Sequence, residues 1–597
     1  MSPFRFSPRA NRASEIRWRE WGDAAFAEAR ERDTPILLAI SAVWCHWCHV
    51  MDETSYSAGD NIELINERFI PIRVDNDERP DVNRRYNMGG WPSTAFLTPG
   101  GDIIHGGTYI QPEEMYRTVL TVAEIWHDQR EDIQRRVTEA REQEDAARAP
   151  KPGDISREIV DIVGALIRGQ FDPEHAGFGR EPKFPQTKLL RFLFDEYRRG
   201  GAPELATMLT RTLDAMSTRG MYDKVAGGFF RYATTRDWNA PHYEKMLEDN
   251  AELLAIYADA HAAFPASGYD RTVRDVIRWM DATLYQAETG LWGGSQDADE
   301  HYYTLDASQR EPHDAPFVDR TLYTSWNALA AAAYLRAGEV LDDPALRERA
   351  AAAARAIDRR MRDANGALCR SDDGSGPKLP DLLGDAVTYL SLLIDLGEVD
   401  RAVAVARRMR ELLEAPAHGG FFDMPEGPAL GRLVRRDRPI EENALAAEEL
   451  LRLATLSADE QWREVALRTL RSFVGEYRGW GQFAAGYANA VARALREPVS
   501  VIVVGRGDDP SAEALWRAAR AGRDPDAVTL RLDPALRPGA VAERSLPADR
   551  VAAYVCVGTS CSAPLADAGA LARELATEPR ERRGPRPLLA RAAPRDP

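Results

Sequence analysis

Two cysteines three residues apart carry the sharpest chemical signal in the chain: Cys45-His46-Trp47-Cys48, followed by His49. A dithiol at this spacing can attack a disulfide with one sulfur and resolve the mixed disulfide with the other. The attacking sulfur needs a depressed pKa, which a helix N-terminus supplies through its free amides and dipole. The apolar run Pro35-Ile-Leu-Leu-Ala-Ile40 reads as a buried strand, and a helical stretch follows the pair to about Glu53. Cys45 is therefore expected at a strand-to-helix junction as the nucleophile, with Cys48 resolving and a protonated His46 favouring the thiolate. Trp91-Pro92 is a candidate cis-proline element beside the pair, with Trp47 and Trp91 as candidate binding surfaces. Three other readings share these residues. C-x-x-C-H matches a haem-attachment pattern, the cysteines with His49 or with Cys556 and Cys561 can be assembled into a zinc set, and the pair can be buried and inert.

The elements that must position the pair span residues 35–127, in the order strand, helix, strand, helix, strand, strand, helix. Phe69-Ile-Pro-Ile-Arg-Val74 is the second strand, Ser93–Leu97 the third and Asp102–Ile110 the fourth, with a closing helix from about Glu113 to His127. We place this α/β domain at 11–130 and a charged helical linker at 131–150. From 151 to 496 the pattern is helical, broken by glycine–aromatic turns such as Gly227-Gly-Phe-Phe230, Leu291-Trp-Gly-Gly294 and Gly419-Gly-Phe-Phe422. Six such turns imply six helical hairpins, either closed into an (α/α)6 toroid with its loops around a central pocket or left as an open solenoid. Residues 497–577 return to strand–helix alternation as a small α/β appendage. The Arg- and Pro-rich end, 578–597, is expected to be disordered.

Composition narrows the function classes. The 597 residues carry 77 Lys and Arg against 94 Asp and Glu, a net charge of −17, which argues against a nucleic-acid or anionic-membrane partner. No run of 18 uncharged apolar residues suggests a transmembrane helix, no secretory signal is visible, and five cysteines are too few for a disulfide framework, so a cytoplasmic location is expected. No cofactor and no resident metal are expected. Asp75-Asn-Asp-Glu78 reads as a solvated turn, Cys369 as a packed side chain, and Cys556 with Cys561 as either a second thiol pair or two free thiols.

A second set of candidates lies in the helical region. Pro241-His242-Tyr243-Glu244-Lys245 opens a helix that also carries Asp249, while Asp297 and Asp299 follow the turn at 293–294. With Trp238, Trp292 and Trp326 as stacking platforms, and Lys183 and Asp223 nearby, they suit a sugar site. There His242 and Glu244 or Asp297 would serve as the acid–base pair. The competing reading makes the same residues helix caps, dipole partners and core.

Taken together, these motifs resemble the spermatogenesis-associated protein 20 family, the DUF255 or YyaL-type proteins. The resemblance is carried by Cys45-His-Trp-Cys-His-Val-Met51, Asp75-Asn-Asp-Glu-Arg-Pro-Asp81, Gly89-Gly-Trp-Pro92, Gly177-Phe-Gly-Arg-Glu-Pro-Lys-Phe-Pro185, Tyr222-Asp-Lys-Val-Ala-Gly-Gly-Phe-Phe-Arg231, Pro241-His-Tyr-Glu-Lys-Met-Leu-Glu-Asp-Asn250, Gln296-Asp-Ala-Asp299 and Thr324-Ser-Trp-Asn327. It implies a thioredoxin-like domain followed by an (α/α)6 toroid of six-hairpin glycosidase or epimerase type. Departures include the missing SPYLLQHA-like segment before Trp18, a shortened stretch between Tyr86 and Gly89, and Ala39 where thioredoxins bury an acid. Proton transfer at Cys48 would then need another base, such as Glu53 or water. The expected function is thiol–disulfide exchange or redox sensing on a protein or small-molecule client; a carbohydrate-active or carbohydrate-binding toroid is the alternative.

Overall fold

The computed structural model describes residues 4–147, 150–521 and 524–576. The tail expected to be disordered, 578–597, lies outside them. In the amino-terminal domain, β1 (Ile36–Ser41) runs parallel to β2 (Ile70–Asp75) and antiparallel to β3 (Ser93–Leu97). β4 (Ile103–Gly107) continues the sheet in the order β2-β1-β3-β4. Side chains alternate across a strand, so these apolar runs feed two cores. Ile36, Leu38 and Ile40 pack with Phe26, Val82 and Tyr86 beneath helices α1 (Asp23–Glu31) and α4 (Pro80–Tyr86). Leu37 and Ala39 pack on the other face with Met51, Ile65 and Met115 from α2 (His46–Glu53), α3 (Gly59–Arg68) and α5 (Pro112–Ala147). The last helix was expected to stop near His127. It continues to Ala147 past a break at Gln129, so the stretch read as a linker begins as the second half of α5.

The helical domain opens with α6 (Arg157–Gln170), α7 (Thr187–Gly200) and α8 (Pro203–Thr218), followed by α9 (Leu247–Ala263) and α10 (Tyr269–Trp279). It continues with α11 (Thr324–Val340), α12 (Pro344–Arg360), α13 (Leu383–Asp395) and α14 (Val399–Leu413), then α15 (Ile440–Ser457), α16 (Glu460–Ser472) and α17 (Ala485–Ala494). Helices α7, α9, α11, α13, α15 and α17 touch in sequence to form an inner ring, each backed by an outer helix. The last inner helix, α17, packs on α7 and against α6 as its outer partner, and that contact closes the ring. The (α/α)6 toroid is thus closed, not an open solenoid. Small side chains at Ala328, Ala330, Ala331 and Ala333 let α11 approach both α9 and α12.

The glycine–aromatic turns have a common mechanical role. Asn250, three residues into α9, accepts from the Phe229 N–H at 2.7 Å and donates to the Phe229 and Met246 carbonyls. Asn327 clasps Trp292 in the same way, and Asn443 clasps Phe421. The clasp explains the glycines. Gly228 and Gly420 have positive φ, and a Cβ at Gly420 would lie 2.6 Å from Asn443 Oδ1.

The appendage forms a sheet in the order β6-β5-β7-β8, from β5 (Val499–Val504), β6 (Ala527–Leu532), β7 (Ala552–Val557) and β8 (Ser560–Cys561). Cys556 and Cys561 face each other across the β7–β8 hairpin and form a disulfide, with Cys561 exposed. The appendage docks at one end of the toroid through a buried pair, Arg199 Nη2 to Asp526 Oδ1 at 2.7 Å. The thioredoxin-like domain docks at the opposite end, where the inner helices begin. Arg85 binds Asp423 at 2.8 Å, and the Tyr86 hydroxyl donates to Gly101 O while accepting from the Arg432 N–H.

Candidate functional site: a disulfide at the domain interface

Cys45 is the N-cap of α2, and its sulfur accepts from the Cys48 N–H at 3.1 Å. The two cysteines form a disulfide. Local sequence accounts for this placement: β1 ends at Ser41, Cys45 keeps an extended φ/ψ, and α2 starts at His46. The Trp91-Pro92 peptide is cis. Both sulfurs are covered, Cys45 at 4% and Cys48 at 2% exposure, and both belong to the apolar cluster that runs into the toroid.

The covering elements come from the toroid. Arg231 lays its guanidinium 4.1 Å from the Trp44 ring centroid and 5.3 Å from that of Trp91, and these two indoles meet edge to face. The Trp44 indole N–H donates to Asp77 Oδ2 at 2.7 Å, and Arg370 from the toroid donates to the Asp77 carbonyl at 2.8 Å. The run Asp75–Glu78, expected as a solvated turn, is therefore at the domain interface. Asp77 is buried, and burial raises its pKa against the opposing pull of the Trp44 hydrogen bond and the Arg370 charge.

Both motif histidines look onto toroid residues. His46 meets His242 edge to face at 6.3 Å between ring centroids, and His242 stacks on Tyr232 at 4.8 Å. His242 Nδ1 lies 3.0 Å from both oxygens of Glu244. Burial works to raise the Glu244 pKa, but the hydrogen bond and charge of His242 outweigh it and hold Glu244 below its ordinary value. His49 Nδ1 lies 3.9 Å from Asp297 Oδ2, with Arg5 Nη2 at 3.7 Å from the same oxygen. Burial takes His49 down to about 4, and burial takes Asp297 up to about 7 against the pull of Arg5. At neutral pH His49 is a neutral imidazole.

The sequence candidates thus divide. Cys45, Cys48, His46, Trp91, Pro92, His242, Glu244 and Asp297 converge on one interface, so residues proposed separately for redox and for sugar chemistry share it. Trp47 lies at the rim, 46% exposed beside Tyr109. Lys245 is elsewhere: its buried ammonium donates to Asp223 at 2.6 Å and to the Gly227 carbonyl, and Arg310 also binds Asp223. Lys183 repeats this clasp on Asp172 and the Ala176 carbonyl one hairpin earlier. Asp299 caps a short helix by accepting from the Tyr302 N–H. Trp238 and Trp292 are fully buried.

Trp326 lines a different feature, a cavity of about 730 Å³ along the toroid axis. The thioredoxin-like domain lines one end with Asp77, Asp81 and Arg84, and the appendage lines the other with Arg520, Asp524 and Val528. Glu248, Asp385, Glu441 and Glu442 surround the first end from the opening turns of inner helices, where the helix dipoles favour carboxylates. Sequence reasoning missed Arg231, Asp77 and Arg370 as parts of one assembly. The only local signal was their place inside quoted motifs or beside aromatic residues.

The protein is of a defined class: a thioredoxin-like domain with a C-x-x-C disulfide, docked by the face that carries the disulfide onto the loop end of an (α/α)6 toroid. Residues 6–144 match the family model described as "Protein of unknown function, DUF255". Over 92% of its length the chain is 24% identical to human spermatogenesis-associated protein 20, covering 88% of that protein. It is 32% identical to the uncharacterised protein B0495.5 of Caenorhabditis elegans over 48% of this chain; that match spans 41% of the worm protein. A shorter stretch, 13% of this chain, is 36% identical to 14% of thiol:disulfide interchange protein DsbD 1 of Pseudomonas aeruginosa. Among solved structures, a cellobiose 2-epimerase from Spirochaeta thermophila aligns with a TM-score of 0.45 at 15% identity, over 56% of this chain and 94% of that one. Among the described residues, no helix is long and apolar enough to cross a membrane.

Proposed function

We propose that the protein carries out thiol–disulfide exchange through Cys45 and Cys48, with the toroid shaping access to the sulfurs. One observation carries the reading: the Cys45–Cys48 disulfide sits at a helix N-terminus with Cys45 as the cap, the arrangement that lowers a thiol pKa and makes it the attacking group. The short similarity to a thiol:disulfide interchange protein supports it. Because the toroid covers both sulfurs, the client is a small thiol or disulfide, or a segment that displaces the Arg231 contact. Titrating the intact protein in glutathione buffers, with alkylation and mass analysis at Cys45 and Cys48, tests the reading. It requires a reversible two-electron transition that disappears in Cys45→Ser; thiols that stay inert across the range would refute it.

The axial cavity supports a second reading, a carbohydrate or other polar small molecule bound against Trp326. A sugar-dependent rise in melting temperature that is lost in Trp326→Ala would establish it. No shift across a broad sugar panel would dismiss it.

A further inference from the structure

The wall of the axial cavity carries more negative than positive side chains, and the excess is local. Every Arg and Lys on the wall is paired with a carboxylate, as Lys188 is with Glu252 and Arg370 with Asp385 at 3.1 Å. Glu248 and Glu441 also line the wall, and neither forms an ion pair or a side-chain hydrogen bond with any described residue. Glu248 is the second residue of α9 and Glu441 the second of α15. In the inner ring these two helices are three places apart out of six, so the two carboxylates stand on opposite sides of the axis. Trp326, the third residue of α11, lies at the same end beside α9. It is 3% exposed and packed against Tyr323 and Arg370, yet its indole N–H makes no hydrogen bond to any described residue. Helix dipoles account for carboxylates in opening turns. They do not account for two without a counter-ion, beside a buried donor without an acceptor, in a cavity whose cations are all paired.

We propose that this end of the axial cavity binds a small organic cation, a molecule with one or more protonated amines, held by Glu248 and Glu441 and accepting a hydrogen bond from Trp326. The inference rests on the second reading above, that the axial cavity is a ligand site, and names the class of ligand. A volume of about 730 Å³ suits a whole small molecule. A bare metal ion suits the wall less well, because among the described residues no three His, Cys, Asp or Glu side chains gather as a metal site. The two carboxylates lie across the axis from one another, so a molecule with amines at both ends can meet both. The electrostatics agree with the geometry. Burial, reinforced by Glu252 and Asp249, pushes Glu248 up to about 8, and burial pushes Glu441 upward. The protein by itself thus supplies too little positive charge to hold these groups ionised, and an ammonium between them provides it. The amine may sit on an aliphatic chain or on a sugar ring; the recognising chemistry is the same, and the test separates the two.

The test is thermal unfolding of the full chain against two matched pairs, 1,5-diaminopentane with pentane-1,5-diol and glucosamine with glucose. Each pair exchanges amine for hydroxyl, and the two pairs separate an aliphatic from a sugar source. At least one amine is expected to raise the melting temperature saturably while its hydroxyl partner does not. Glu248→Gln and Glu441→Gln break no ion pair, so both should melt as the wild type does without ligand. Each should raise the half-saturating amine concentration about tenfold, the loss of one hydrogen bond to a charged group. Trp326→Phe keeps the ring and removes only the donor, and should weaken the same binding several-fold. Equal stabilisation by amine and hydroxyl partners, or wild-type affinity in both Gln variants, would overturn the amine assignment and leave the cavity reading standing. A panel in which none of the four compounds stabilises the protein would sink the cavity reading and this inference together.

Discussion

His49 and Asp297 should make opposite and separable contributions to stability as pH changes. In the unfolded chain at pH 5.5 the imidazole holds a proton and the carboxyl does not; in the folded protein burial reverses this, taking His49 down to about 4 and Asp297 up to about 7. Each state holds one proton on the pair, so the wild type shows little net linkage from it. Removing one partner exposes the other. His49 has a depressed folded pKa, so its contribution is full above its unfolded value of about 6.5 and is lost as pH falls toward 4. Asp297 has a raised folded pKa, so its contribution is full at low pH and is lost as pH rises through about 7. At about 1.4 kcal/mol per pKa unit, lowering the pH from 7.5 to 5 should cost Asp297→Asn about 2 kcal/mol relative to wild type, and should favour His49→Gln by about 2 kcal/mol. Urea unfolding of the three proteins at pH 5, 6, 7 and 7.5 measures both slopes. Parallel curves for the two variants and the wild type would show that the pair is not held as a neutral imidazole beside a carboxylic acid, and the argument from burial would fail.

Other consequences follow from the same contacts. Asp223→Ala leaves the buried Lys245 ammonium and the Arg310 guanidinium without their shared carboxylate. It should cost about 3–5 kcal/mol, seen as a large drop in melting temperature. Asn250→Ala removes three buried hydrogen bonds from the turn at Phe229 and is expected to destabilise by about 2–4 kcal/mol, with Asn250→Asp doing little better because it cannot donate twice. Arg231→Ala removes the guanidinium lying on Trp44 and Trp91, and reduction of the Cys45–Cys48 disulfide by a bulky thiol should accelerate several-fold; an unchanged rate would show that Arg231 does not gate the sulfurs. Cys561 is exposed, so the Cys556–Cys561 disulfide should reduce and alkylate under native conditions, leaving Cys369, which is buried, unmodified until the chain unfolds.

Much of the architecture is legible in the sequence because its signals are local. An apolar run ending just before Cys45 and a helical pattern after it suffice to put that cysteine at a helix start. Regular glycine–aromatic turns suffice to count six hairpins. The Asn clasps are not legible in the sequence because Asn250 is 21 residues from Phe229 and Asn327 is 35 from Trp292. No periodicity links positions so far apart. In sequence, Lys245 stands beside the site residues His242 and Glu244. Its side chain goes the other way, because alternate residues along an extended segment face opposite sides.

What the sequence by itself determines here is the chemistry available: a C-x-x-C pair ready to cap a helix, a domain with no acid at Ala39, and a toroid whose loops are rich in His, Asp and Arg. Ring closure, and the face on which the thioredoxin-like domain docks, were decided only in three dimensions. Both depend on contacts between residues up to several hundred positions apart, as with Arg85 and Asp423. That docking replaces the water that would surround Asp77, His49 and Asp297 with protein. Their protonation follows from burial, a property of the assembled interface that no single stretch of chain encodes.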